Sequence, residues 1–171
     1  NECAEFCKAV GATKFYASGH EFLENYPFHS SVLRMSASME VIPDTNASLF
    51  PVTDKTSRQW REIYNSKMSG VDNASYLSNK GMIDILNKGS GYFIHRDGVL
   101  LGIGIASDDR IDCVASVVPG AGADVIAALT HALMYETVNL EVSSTNHRAI
   151  SLYERLGFIK NAEISRWYKI F

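Results

Sequence analysis

Proline supplies only 4 of the 171 residues and glycine 12, while 46% of the chain is hydrophobic and 20% charged. Intrinsic disorder and collagen-like structure are thereby excluded, because there is enough apolar side chain to bury a core. The length suits one domain with a modest extension and excludes two full-sized ones. An excess of positive charge is also lacking. Sixteen Lys and Arg against 19 Asp and Glu leave a formal net charge of -3, without the basic field that gathers nucleic acid. Long apolar runs are missing too: Val99 to Ala106 and Val125 to Leu129 are the longest, far below the roughly 20 residues of a bilayer span. No membrane partner is expected. Cysteine is sparse, and Cys3, Cys7 and Cys113 can neither all pair within one molecule nor match a zinc ligand set. Cys3 and Cys7 stand one helical turn apart with no His or third Cys near them, so no metal is expected and a reducing compartment, the cytoplasm, is the simpler reading. The chain opens on Asn1 with Glu2, Glu5 and Lys8 where a signal peptide carries an uncharged apolar run, which reads as a processed start.

Apolar periodicity and turn chemistry then divide the chain. Phe6, Cys7 and Val10 share a helical face that Gly11 ends. Lys14 to Ser18 and Ser31 to Ile42 read as extended. The polar stretch Pro43 to Ser48 is the best linker, so residues 1–45 are assigned to an N-terminal extension of open role and 46–171 to the main domain. That domain begins with a strand, Leu49 to Thr53. Asp54 or Thr56 can cap the next helix, which carries Trp60, Ile63, Tyr64 and Met68, and a second helix covers Asn79 to Asn87. Three strand-like runs from Gly91 to Val118, separated by Arg96-Asp97-Gly98 and Asp108-Asp109, predict an antiparallel meander. Val125, Ile126, Leu129 and Leu133 mark a helix, Val138, Leu140 and Val142 a strand, and Ala149, Leu152, Tyr153 and Leu156 a last helix that Gly157 ends. Residues 158–171 are again extended.

Two stretches point to chemistry. In VASVVPGAGADVIAAL a strand runs into Gly120 and Gly122 just where a helix begins. Unpaired amides at a helix N-terminus, approachable over glycine, suit a pyrophosphate; a tight strand-to-helix turn accounts for the same glycines. A dinucleotide site is one source of such a loop, since Glu141 follows about 20 residues later at a strand end. Against it, Val125 stands where the third glycine belongs, hairpins join the preceding strands, and only 49 residues follow Gly122.

The second stretch, LEVSSTNHRAISLYERLGF from Leu140 to Phe158, joins a strand, Asn146 at a helix start, Tyr153 seven residues on, and the step Gly157-Phe158. In this combination it resembles the C-terminal signature of the GNAT N-acetyltransferases, and the order of elements from about residue 48 to 171 is similar to theirs. The resemblance implies an α/β GNAT acyl-CoA N-acyltransferase fold, a mixed and mostly antiparallel sheet flanked by helices. Residues 1–45 lie outside it and suit a remnant second module, a substrate lid or a homodimer contact. Also implied are acetyl-CoA as co-substrate and a primary amine as acceptor, on a small molecule or a peptide N-terminus. By position, Ala115, Ser116, Val117 and Val118 would offer strand amides to the pantetheine arm, while Pro119, Gly120, Ala121, Gly122 and Ala123 would take the pyrophosphate. Val117 stands where the family usually has Arg or Gln, and Asp124 in the first helical turn repels phosphate although it suits the helix dipole. Arg148 is a candidate for part of the missing charge. These departures keep a non-catalytic acyl-CoA-binding or regulatory module as the alternative.

Acetyl transfer needs a neutral amine, donors for the oxyanion and a proton for the departing thiolate. Tyr153 matches the family's general acid; as a residue of an amphipathic helix it can also simply pack with Ala149 and Leu156. Asn146 reads as a helix cap able to bond the pantetheine as well. Glu141 lies on the strand face opposite Val138, Leu140 and Val142, twelve residues before Tyr153. The LEV segment resembles that of ribosomal-protein alanine acetyltransferases, in which a glutamate so placed is the base candidate; a structural carboxylate is the other reading. His131 reads as a packed or surface histidine, and His147 as a weaker base candidate.

Overall fold

The structure, a computed structural model, describes residues 2–72 and 74–171. Helix α1 (Glu2–Ala9) and strands β1 (Tyr16–Ser18) and β2 (Phe28–Ser38) come first, followed by β3 (Ser48–Pro51), α2 (Ser57–Met68) and α3 (Asn79–Lys88). A meander of β4 (Gly91–Arg96), β5 (Val99–Ser107) and β6 (Arg110–Ser116) leads into α4 (Gly122–Leu133), β7 (Thr137–Ser143), α5 (His147–Arg155) and β8 (Ile159–Lys169). All eight strands form one sheet, in the order β1-β8-β2-β7-β6-β5-β4-β3. Every neighbouring pair is antiparallel except β6 with β7. The mixed, mostly antiparallel α/β architecture is the expected one. It removes the dinucleotide reading, which requires a run of parallel strands.

Local chemistry explains the element ends. Asp97 (φ 51°) and Gly98 (φ 77°) both take left-handed backbone between β4 and β5, a pair of conformations that matches strand twist at a tight hairpin. Ser78 caps α3 by accepting from the Gly81 N–H at 3.2 Å. Thr56 does precede α2, but its hydroxyl accepts from the Thr53 N–H at 3.0 Å instead of capping a helix amide.

Residues 1–45 are where sequence and tertiary structure diverge most. Strand β2 lies between β7 and β8, with Val32 opposite Ser143 at one end of its β7 register and Ser38 opposite Thr137 at the other. Leu33, Met35 and Ala37 enter the same core as Val138, Leu140 and Val142. A division at residue 45 therefore coincides with no break in the sheet. The linker itself is tied to α4, where the Thr45 hydroxyl donates to Asp124 at 3.1 Å and His131 Nε2 lies 3.2 Å from the Pro43 carbonyl.

Helix α4 packs against one face of β5 and β6, with Val125, Ile126 and Leu129 fully buried. The close approach requires glycine on the strand beneath. A Cβ at Gly102 would stand 2.8 Å from Val125 Cγ2, and one at Gly104 would strike both Leu129 methyls. Ile103, between them, faces the other way and joins Phe93, Ala115 and the wholly buried Trp60, whose indole N–H donates to the Tyr92 carbonyl at 2.9 Å. Helices thus cover both faces. Gly104→Ala is expected to cost about 1–3 kcal/mol through overpacking. Denaturant unfolding should detect that loss and its partial recovery when Leu129→Ala is added.

Candidate active site

The single parallel pairing is short. Strands β6 and β7 pair only at Arg110–Asn139 and Ile111–Leu140. Past those residues β6 stays with β5 as far as Ser116, and β7 stays with β2 as far as Ser143. The two strands part, and a cavity of about 620 Å³ occupies the opening, bordered by both strands, by α2 with its following loop, by Tyr153 of α5 and by Asn146 just before that helix.

A parted strand was expected to leave four amides for the pantetheine arm, and this needs correction. The Val117 N–H donates to the Leu101 carbonyl at 2.8 Å and the Val118 N–H reaches the same oxygen at 3.3 Å. Neither residue borders the cavity. Successive amides of a strand point to opposite edges, so Ala115 directs its N–H toward β5 with Val117, while Ser116 and Val114 direct theirs toward the opening. Of the expected four, Ser116 alone presents its amide there, and Val114 joins it unforeseen. The cause is continued pairing with β5, which leaves open only the other edge of β6.

The glycine loop follows β6 directly. Gly120 needs glycine for its backbone (φ 85°), and Gly122 for packing, since a Cβ there would lie 2.7 Å from Leu152 Cδ2 on α5. Ala121 is buried and donates to the Val118 carbonyl at 3.2 Å. Both glycines therefore have structural reasons of their own, and Gly122 and Ala123 still open α4 with the unpaired first-turn amides that attract anions. Asp124, expected to repel phosphate, is engaged elsewhere: Arg96 Nη1 lies 2.9 Å from its Oδ2, and Thr45 holds its Oδ1.

Tyr153 borders the cavity and packs on Phe158 with ring centroids 5.8 Å apart. Burial, reinforced by Cys113, pushes its hydroxyl from 10.0 up to about 12, so the phenol keeps its proton at any physiological pH. Burial likewise pushes the Cys113 thiol up to about 12, which leaves it protonated and a poor nucleophile. Asn146 caps α5, its side chain accepting from the Ala149 N–H at 3.2 Å, and it borders the cavity. Glu141 borders the cavity too, with Oε1 3.1 Å from Arg34 Nη2 on the neighbouring β2. His131 is turned to Pro43, and neither it nor His147 borders the cavity.

Several bordering residues carried no local signal. Asp72, in the loop after α2, accepts from the Thr145 hydroxyl at 2.7 Å and lies 3.5 Å from His29, which stacks on Tyr16 at 4.2 Å. Four distant parts of the chain meet there. Lys67 of α2 and Trp167 of β8 also line the cavity, and the Trp167 indole N–H is buried without a partner among the described residues. Among the described residues no three His, Cys, Asp or Glu side chains gather as a metal site, and no helix is long and apolar enough to cross a membrane.

No family model matches the sequence, and no curated protein does either. Solved structures match the fold throughout. A GCN5-related N-acetyltransferase from Sphaerobacter thermophilus superposes with a TM-score of 0.66 at 11% identity, covering 99% of this chain and 65% of that one. One from Anabaena variabilis gives 0.71 at 12% identity, covering 98% and 48%. AAC(6')-Iy, solved with the bisubstrate analogue CoA-S-monomethyl-acetylneamine, gives a TM-score of 0.52 at 16% identity over 70% of this chain and 95% of its own. This chain has the GNAT N-acetyltransferase fold, and it spans less than two thirds of the Sphaerobacter and Anabaena chains.

The raised Tyr153 hydroxyl has a measurable consequence. Between 10.0 and about 12 the folded chain keeps a proton that the unfolded chain loses, so stability should fall as pH rises through that window. Tyr153→Phe should flatten this slope in unfolding curves, and carbon NMR of labelled tyrosine should find the Tyr153 phenol still un-ionised at pH 10.

Proposed function

We propose that the chain transfers an acetyl group from acetyl-CoA to a primary amine, in the cytoplasm that suits three unpaired cysteines. One observation carries the reading: Tyr153 holds its proton at the opening between β6 and β7, beside strand amides without a sheet partner. The amine nitrogen attacks the thioester carbonyl carbon, the carbon–sulfur bond breaks, the departing thiolate takes the Tyr153 proton, and the proton that the nitrogen sheds on becoming an amide returns through water to the Tyr153 oxygen. A strand amide of β6 donates to the oxyanion as it forms, where a fixed dipole is most effective. Glu141 faces the same cavity and accepts the proton that the ammonium must lose before attack, directly or through water. Gly120, Ala121, Gly122 and Ala123 would receive the pyrophosphate at the start of α4, and Ser116 and Asn146 the pantetheine arm.

A silent acyl-CoA-binding module is the second reading. It is favoured by Val117 at the usual Arg or Gln position and by the Arg34–Glu141 pair, which by itself gives Glu141 a structural role. Both readings require the coenzyme. At a hundredfold excess over its dissociation constant, acetyl-CoA should add about 2.7 kcal/mol and raise the melting point by about 5–11 °C, whereas NAD should do nothing. Protection by NAD alone would overturn both.

Turnover separates the two readings. Free-thiol release from acetyl-CoA across an amine panel is expected from an enzyme and absent from a binding module. Tyr153→Phe should then lower turnover about 10²- to 10⁴-fold with acetyl-CoA binding retained, and high pH should not rescue it. Glu141→Gln should recover as rising pH deprotonates the amine unaided. Full turnover in the first variant, or a wild-type pH profile in the second, would return that residue to a packing or ion-pair role.

A further inference from the structure

Three carboxylates border the cavity, those of Asp72, Asp112 and Glu141, and two of them are already answered by an arginine. Asp112 Oδ1 lies 2.6 Å from Arg110 Nε, and Glu141 Oε1 lies 3.1 Å from Arg34 Nη2. Asp72, in the loop after α2, has no Lys or Arg within ion-pair distance among the described residues, although Lys67 borders the same cavity. Its contacts fall on one oxygen. Oδ2 accepts from the Thr145 hydroxyl at 2.7 Å and stands 3.5 Å from His29 Nε2, a separation longer than the about 2.7–2.9 Å of a charge-assisted hydrogen bond. Oδ1 has no hydrogen-bond partner among the described residues.

The place of this free oxygen says which reactant it meets. Thr145 stands just before Asn146, the cap of α5, so Asp72 lies at the N-terminal end of that helix. Tyr153 is seven residues further on, about 10 Å along the axis, and a long helical side chain leans back toward the helix start. The Tyr153 hydroxyl is thereby directed toward Asp72 within the cavity that both border. The coenzyme has nothing to offer a carboxylate, since its phosphates are anionic and its pantetheine arm and thioester are uncharged. The cation of the reaction is the ammonium of the acceptor, and a cation drawn out of water needs a counter-charge. Glu141 and Asp112 could supply one only by sharing it with an arginine; Asp72 supplies it outright.

Accepting acetyl transfer as the reaction, we propose that Asp72 is the acceptor-binding carboxylate: its free oxygen takes the ammonium of the acceptor and holds the nitrogen on the Tyr153 side of the cavity until Glu141 has removed the proton. Thr145, from the turn after β7, and His29, from β2, then serve to fix the carboxylate in place. Preference for a cationic amine is thus set on a loop apart from both proton-transfer groups.

The test pairs two nucleophiles of nearly the same shape in the presence of acetyl-CoA: ethylamine, a cation at neutral pH, and methoxyamine, uncharged there. Asp72→Asn keeps the shape and an oxygen for Thr145 but removes the charge. The ethylamine KM should rise about tenfold, the effect of one charge-assisted hydrogen bond, with no comparable rise for methoxyamine. Equal rises for the two nucleophiles would make Asp72 a brace for its loop, and an unchanged ethylamine KM would make it idle; either result overturns the inference. Carbon NMR of the aspartate-labelled, CoA-loaded protein reads binding apart from turnover, and it decides the matter if Asp72→Asn fails to fold. Ethylammonium chloride should shift the Asp72 carboxyl signal, identified by its loss in Asp72→Glu, and methoxyamine should not. If acetyl-CoA binds but no amine reacts, acetyl transfer fails by itself; the ethylammonium shift would still support the ammonium site, and its absence would refute it.

Discussion

Strands β6 and β7 share two residue pairs and no more, while each keeps its partner on its far edge, β6 with β5 as far as Ser116 and β7 with β2 as far as Ser143. Backbone groups shielded from water need partners, and those of β6 beyond Ile111 lack them on one edge. Sheet twist carries the two antiparallel halves apart, and the gap becomes a place where a ligand can complete the ladder. Everything at the site depends on that gap. Tyr153 reaches it from α5, Glu141 from the open face of β7, and the start of α4 lies at the end of the open strand.

Electrostatics at the site are set by pairing as well as by burial. Tyr153 is kept neutral by desolvation, which suits a proton donor whose conjugate base would otherwise be buried. Glu141 and Asp112 stay at the cavity because Arg34 and Arg110 stand beside them. Asp124, by contrast, is bound away to Arg96 and Thr45, which quiets a charge that otherwise opposes an anion at the same helix end.

The segment before residue 45 has a role that reaches the chemistry. Strand β2 seats β7 in the sheet, supplies Arg34 to Glu141 and Val32 to the cavity, and places Ser30 opposite Trp167. Read along the chain it was an extension beyond a polar linker. In space it lies at the centre of one half of the sheet, between the strand that carries Glu141 and the strand that carries Trp167.

What the sequence determined by itself was everything that local periodicity and turn chemistry encode. The helix faces of Trp60 and Tyr64, of Val125 and Leu129, and of Leu152 and Tyr153 were legible, as were the meander with its Asp97-Gly98 turn and the order of elements that resembles the GNAT fold. The candidate residues Tyr153, Glu141 and Asn146 came from one continuous stretch, and the structure brings all three to one cavity. Tertiary structure alone decided which amides of β6 face the opening, because strand neighbours on either side choose the edge that is spent. It alone placed Asp72, Arg34 and Trp167 at the site and β2 inside the sheet. Strand pairing and ion pairs join residues more than a hundred positions apart, Arg34 with Glu141 and Ser30 with Trp167, and no pattern within a short window carries that information.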